Sequence, residues 1–206
     1  PHHHVIELWP GGGWYTDILG PMLKDEGKLI AASFVPDSGP EYRQRIHKKY
    51  LAHLAEHRDA LGEITVVSLG APDHFNLAPE NSVDRVLTFR NTHNWIKEGI
   101  DRQIYEAAYK ALKPGGIFGV VQHRAEAGAD PEQRAKTGYV PEPYVISTAE
   151  SVGFRLVDKS EINANPKDIK AWPEGVWTLP PAYRLGDKDR EKYAAIGESD
   201  RMTLKF

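Results

Sequence analysis

Apolar residues come in short runs, each about the length of a strand and bounded by glycine, proline or acid: Val5–Leu8, Lys28–Phe34, Ile64–Leu69, Val83–Phe89, Ile117–Gln122, Phe154–Ile162 and Met202–Phe206. Between them lie stretches with helical spacing. Trp14–Leu23 places Ile18, Leu19, Met22 and Leu23 at helical intervals, with Pro21 predicting a short or kinked helix. Glu41–Leu61 is amphipathic and positively charged, a helix with a solvated face. Ile100–Leu112 is a helix closed by the turn Lys113-Pro114-Gly115-Gly116, and Pro143–Val152 is another, closed by Gly153. This alternation predicts an α/β chain: a Rossmann-like, doubly wound sheet of mostly parallel strands. Ala125–Thr137 reads as a mobile loop or lid. Residues 163–197 read as an irregular insertion in which Trp172 and Trp177 clasp a core edge. At 206 residues the expectation is a single domain.

Composition narrows the function classes. A net charge of −3 provides no basic footprint, which argues against nucleic acid as the main partner. No apolar run approaches the roughly 20 residues of a membrane span. The absence of cysteine removes disulfides, thiolate metal sites and a cysteine nucleophile together. The compartment is left open, cytoplasmic by default with export as the alternative. Residues 1–4 (Pro1-His2-His3-His4) read as the remnant of an expression tag in preference to a metal cluster.

The first run ends in Glu7-Leu8-Trp9-Pro10-Gly11-Gly12-Gly13. A strand entering a glycine turn and then a helix lets the backbone approach a ligand and aims the helix N-terminus at it. The glycines are consecutive, out of register with the spaced glycines of a dinucleotide site, so a nicotinamide oxidoreductase is the weaker reading. A carboxylate inside a buried strand needs a partner. Glu7 is placed to accept a hydrogen bond from the amino group of a methionine moiety, or alternatively to cap nearby backbone amides.

Four phrases resemble class I S-adenosylmethionine-dependent methyltransferases. The glycine phrase is similar to their first motif. Asp84-Arg85-Val86-Leu87-Thr88-Phe89 resembles their fourth strand, Leu112-Lys113-Pro114-Gly115-Gly116 the turn into their fifth, and Ala149-Glu150-Ser151-Val152-Gly153-Phe154 the passage to their sixth. The whole chain resembles a bacterial group carrying W-P-G-G-G-W-Y and F-R-N-x-H-N-W, some of whose members look exported. The resemblance implies a reversed last strand, S-adenosylmethionine as cofactor, S-adenosylhomocysteine as product and a small-molecule acceptor. It places Glu7, Pro10, Gly11, Gly12 and Gly13 at the methionine end, Asp37 at the ribose and Asp73 at the adenine. The chain departs from the family in carrying Trp9 where a first glycine is usual, and in having its acids late after the second and third strands.

Arg90-Asn91-Thr92-His93-Asn94-Trp95 directly follows the fourth run, where a doubly wound sheet opens its ligand crevice. Arg90 and Asn91 are expected at the cofactor, with His93 as general base, Asn94 beside it and Trp95 at the acceptor. The plainer reading has Asn91 or Asn94 capping a helix while His93 packs. Gln122-His123-Arg124 follows the fifth run, bringing His123 into the catalytic set and Arg124 to the acceptor. Tyr139, Tyr144 and Glu161 complete the expected acceptor surroundings. A metal held by the two histidines and Glu161 is the lesser alternative to a metal-free site. Two further readings stand beside methyl transfer: a nucleoside-binding module without turnover, and the nicotinamide enzyme. Oligomeric state is left open.

Overall fold

The apolar runs become seven strands in the computed structural model, which describes residues 1–206. They are β1 (His4–Leu8), β2 (Lys28–Ser33), β3 (Ile64–Ser68), β4 (Val83–Phe89), β5 (Leu112–His123), β6 (Asp158–Ser160) and β7 (Arg201–Lys205). Their order in the sheet is β3-β2-β1-β4-β5-β7-β6. The β1–β2, β1–β4 and β2–β3 pairs are parallel, whereas β6 and β7 are antiparallel. Backbone contacts divide the chain into two compact units, one of residues 1–89 and 103–119, the other of residues 90–102 and 120–206.

In the first unit, β1 is the central strand. Glu7 is in register with Ala31 of β2 and Leu87 of β4, so its carboxylate is flanked by apolar neighbours. Helix α1 (Thr16–Leu23) buries Thr16, Gly20 and Leu23. Gly20 is needed there, because a Cβ would meet the Leu61 carbonyl at 2.9 Å. The expected apolar spacing therefore turns partly outward, leaving Trp14, Ile18 and Met22 exposed along one side. Helix α2 (Glu41–Glu56) buries a polar face of Arg43, His47 and Tyr50, and a break at His57 separates it from the short α3 (Arg58–Leu61). His4, read from the sequence as tag, is the first residue of β1, and its N–H donates to Asp84 at 2.8 Å.

The second unit opens with α4 (Thr92–Glu98), so the polar phrase after β4 is itself helical. Helix α5 (Asp101–Ala111) runs straight into β5, and the expected turn at Lys113–Gly116 forms the head of that strand, with Gly115 at φ 78°. The expected lid contains α6 (Pro131–Ala135) and is packed. Ala125, Tyr139 and Val176 form a buried cluster against Ala129, Trp172 and Trp177. Asp168 ties this region together: it accepts from the Tyr139 hydroxyl, the Trp172 indole at 2.7 Å and the backbone N–H groups of Lys170 and Asp200. The clasp expected of Trp172 and Trp177 is thus present, and it closes on the segment expected to be loose. Helix α7 (Glu142–Ser151), a 3-10 turn (Gly175–Thr178) and α8 (Arg190–Ile196) complete the unit. The stretch expected as a long sixth strand forms only the three residues of β6. No helix is long and apolar enough to cross a membrane.

Candidate functional site

The first unit places Glu7 at the end of β1 with almost no exposure. The Thr16 hydroxyl donates to its carboxylate at 2.6 Å, and the Tyr50 hydroxyl lies 3.1 Å from Thr16. Burial outweighs that bond and pushes the Glu7 carboxyl up to about 7, with the negative Asp17 adding to the rise. The glycine turn follows at once. Gly11 has φ 61°, and a Cβ at Gly11 or Gly12 would meet nothing within 4 Å. Gly13, at φ 93°, sits against Tyr50 and His53. Gly12 therefore faces open space beside a buried, underpartnered carboxylate, while Gly13 is held by packing.

The end of β1 is braced by Trp9, Leu69 and Arg43. Trp9 takes a left-handed φ of 47° and its indole donates to the Leu69 carbonyl at 3.0 Å. The Arg43 guanidinium stacks 4.5 Å over Trp9. At the end of β2, Ser33 and His47 are buried and 2.8 Å apart. Asp37 and Asp73 are both exposed, and Asp73 pairs with His74. Thr16, which donates to Glu7, and Tyr50, which meets Thr16, sat inside segments that looked like ordinary helices. The usable signal was the spacing Arg43, His47, Tyr50, one face of a polar helix.

In the second unit, His93 is buried on the first turn of α4, with Asn94 half-buried beside it. The rings of His93 and His123 lie 5.9 Å apart, and Trp177 meets His93 edge-on at 5.7 Å. Gln122 is fully buried; its amide nitrogen donates to the Gly138 carbonyl at 2.9 Å and to His93 Nδ1 at 3.3 Å. An NH2 group can only donate, and the Gly138 carbonyl fixes which end of the amide points that way. Neutral His93 consequently keeps its proton on Nε2 and has no free lone pair. Burial, assisted by the positive charges of Lys97 and Arg90, lowers His93 to about 3. At neutral pH the buried His93 imidazole is therefore uncharged. His123 is likewise held far below its ordinary range by burial, then by His93, Arg90 and Arg201, and its Nδ1 lies 2.5 Å from Ser199 Oγ.

Arg90 holds a left-handed φ of 64°, anchored by its N–H to the Val121 carbonyl at 2.7 Å. Its guanidinium makes no hydrogen bond or ion pair within the chain. Asn91 precedes α4 without a side-chain cap bond, so the plainer capping reading does not describe it. Other expected acceptor residues are occupied elsewhere. Trp95 is fully buried and presents no surface to a ligand. Tyr139 donates to Asp168, and Tyr144 donates to Asp101 at 2.7 Å. Arg124 is clamped by Glu142, Glu161 and Asp200, which drive its pKa upward. Glu161, spent on Arg124, is not a partner of the histidines, and no group of three or more His, Cys, Asp or Glu side chains is arranged to hold a metal ion. A cleft of about 490 Å³ opens at the amino ends of β1 and β2, lined by His4, Leu23, Lys28 and Thr65 among others, and holds none of the candidate residues.

No protein-family model matches the sequence, and no curated protein matches it either. Solved structures do match. A SAM-dependent methyltransferase from Aquifex aeolicus aligns with TM-score 0.59 at 16% identity, over 78% of this chain and 76% of that one. The fold is that of the class I methyltransferases. The 1,6-didemethyltoxoflavin-N1-methyltransferase of Burkholderia thailandensis, with S-adenosylhomocysteine bound, aligns with TM-score 0.57 at 15% identity, over 98% of this chain and 69% of that one. The cyclase SpnF aligns with TM-score 0.64 at 15% identity, over 98% of this chain and 73% of that one. One fold thus carries more than one activity among these neighbours.

Proposed function

We propose that the chain is an S-adenosylmethionine-dependent methyltransferase acting on a small-molecule acceptor. The observation that carries this reading is Glu7: a buried carboxylate with one hydroxyl partner, raised to about 7, beside the open backbone of Gly11 and Gly12. Such a carboxylate lacks a cation, and the ammonium group of a methionine moiety supplies one. Glu7, Pro10 and the glycine turn hold that end of the cofactor. When bound, the cofactor would supply an electrophilic methyl group on a sulfonium, for attack by the acceptor's electron pair with S-adenosylhomocysteine as the leaving group. The chain's part is positioning, which suits a donor that is already reactive. In the second unit His93 donates from Nε2 to the acceptor, Gln122 keeps that proton in place, and His123 shares the wall with Trp177.

A second reading, a nucleoside-binding module without turnover, draws on the exposed Asp37 and Asp73, which leave ribose and adenine without a buried acid. Equilibrium binding followed by single-turnover incubation with an acceptor panel separates the two. Methylated product establishes the enzyme; cofactor binding without product over the whole panel favours the module; no cofactor binding removes both.

A further inference from the structure

We propose that Arg90 and His93 form a recognition site for an oxyanion, a carboxylate or phosphate group, carried by the small-molecule acceptor. Its assignment to the acceptor rests on the methyltransferase reading; the binding site itself does not. Three observations carry it. Arg90 stands in a left-handed conformation, which costs a non-glycine residue about 1–3 kcal/mol, yet its guanidinium has no partner in the chain. A half-buried arginine held that way is a fork without its anion. His93 is locked by Gln122 as an Nε2–H donor, so it too offers a proton and no lone pair.

The third observation is the charge around the two imidazoles. The charged groups acting on them are Arg90, Lys97 and Arg201, and Arg201 is already paired with Glu198 at 2.6 Å. Other acids of the same unit are engaged away from Arg90: Glu142, Glu161 and Asp200 on Arg124, and Asp168 on Tyr139 and Trp172. A half-buried guanidinium without an acid, beside a buried imidazole donor, is completed by an anion. Gln122 adds a complementary feature, because its fully buried carbonyl oxygen has no hydrogen-bond partner. A hydroxyl or amide N–H on the same ligand satisfies it. The inference moves Arg90 from the cofactor, where its position after β4 put it, to the acceptor.

The test is calorimetric titration of the whole chain with inorganic phosphate and, separately, with benzoate, at constant ionic strength. Arg90→Gly serves as the main variant, since glycine fits the left-handed backbone and leaves the fold intact. The expected result is saturable binding of at least one anion, weakened tenfold or more by Arg90→Gly and severalfold by His93→Phe, with Arg90→Lys in between. No saturable binding by the native chain, or equal binding by Arg90→Gly, overturns the proposal. Repeating the titration with saturating S-adenosylhomocysteine separates the two sources of carboxylate. Anion binding that persists belongs to the acceptor; anion binding that the cofactor abolishes competitively belongs to the cofactor and overturns the assignment. Phosphate binding without any cofactor binding leaves the anion site standing and removes the methyltransferase reading instead.

Discussion

The surroundings of Glu7 and of His93 solve opposite problems by the same means. In the first unit an acid is buried among Ala31, Leu87 and a hydroxyl, with no cation at hand, and is driven toward its neutral form. In the second, two bases are buried and lie near Arg90, Lys97 and Arg201, and are likewise driven neutral. Elsewhere the chain pairs its charges readily, as the three carboxylates on Arg124 demonstrate. On the reading proposed above, Glu7 takes a cation and Arg90 with His93 takes an anion.

The largest effect expected on stability above neutral pH concerns Glu7 without ligand. Its folded pKa lies above the ordinary 4.5, so the folded state binds the extra proton and is favoured at low pH. That contribution is lost as pH rises through about 7, a loss of roughly 3 kcal/mol at about 1.4 kcal/mol per pH unit. Glu7→Gln, which keeps an acceptor for Thr16, is expected to be more stable than the native chain at pH 8 and little different at pH 4.5, by urea unfolding. Equal stability of the two proteins at pH 8 breaks the first half of the comparison.

Next in size is the cofactor. Gly12→Leu projects into open space and disturbs no internal contact, so unfolding should be unchanged while affinity for S-adenosylmethionine falls about 100-fold, some 2.7 kcal/mol. A Gly12→Leu protein that binds as the native chain does would place the cofactor elsewhere.

His93 offers the third. Its pKa is lowered, so its contribution to stability is present above about 6.5 and lost as pH falls toward 3, the reverse of Glu7. Gln122→Glu places a carboxylate beside His93. Nitrogen-15 spectra of labelled histidine should show His93 as the Nε2–H tautomer in the native chain and as Nδ1–H or imidazolium in the variant. A native Nδ1–H signal would contradict the tautomer derived from Gln122. The smallest effect is Arg90→Gly, where relief of the left-handed backbone should raise stability by about 1 kcal/mol in urea unfolding.

Much of the fold was legible because alternation of short apolar runs with helical spacing is a local pattern. Val83–Phe89 was recovered with its bounds, and the reversed end strand agrees with the resemblance. Glu7 and the glycine turn were legible because an acid in an apolar strand is a local anomaly. What lay beyond reach was pairing across long sequence separations. Thr16 and Tyr50 are 34 residues apart, Gln122 and His93 29, and Tyr139 and Asp168 29. Nothing near Tyr139 indicates that its hydroxyl is spent on Asp168, and nothing near His93 indicates which nitrogen holds the proton. The Ala125–Thr137 segment looked loose because its small and charged residues have no local periodicity; Val176 and Trp177, distant in sequence, supply its packing.

The most direct measurement of the central claim is calorimetric titration of the native chain with S-adenosylmethionine at pH 6 and pH 8, in buffers of different ionisation enthalpy. A cationic amino group meeting Glu7 requires the ionised carboxylate, so binding should be tighter at pH 8 and should release a proton at pH 6. Glu7→Gln should abolish both the pH dependence and the proton release. No binding, or binding indifferent to pH and to Glu7→Gln, would contradict the account.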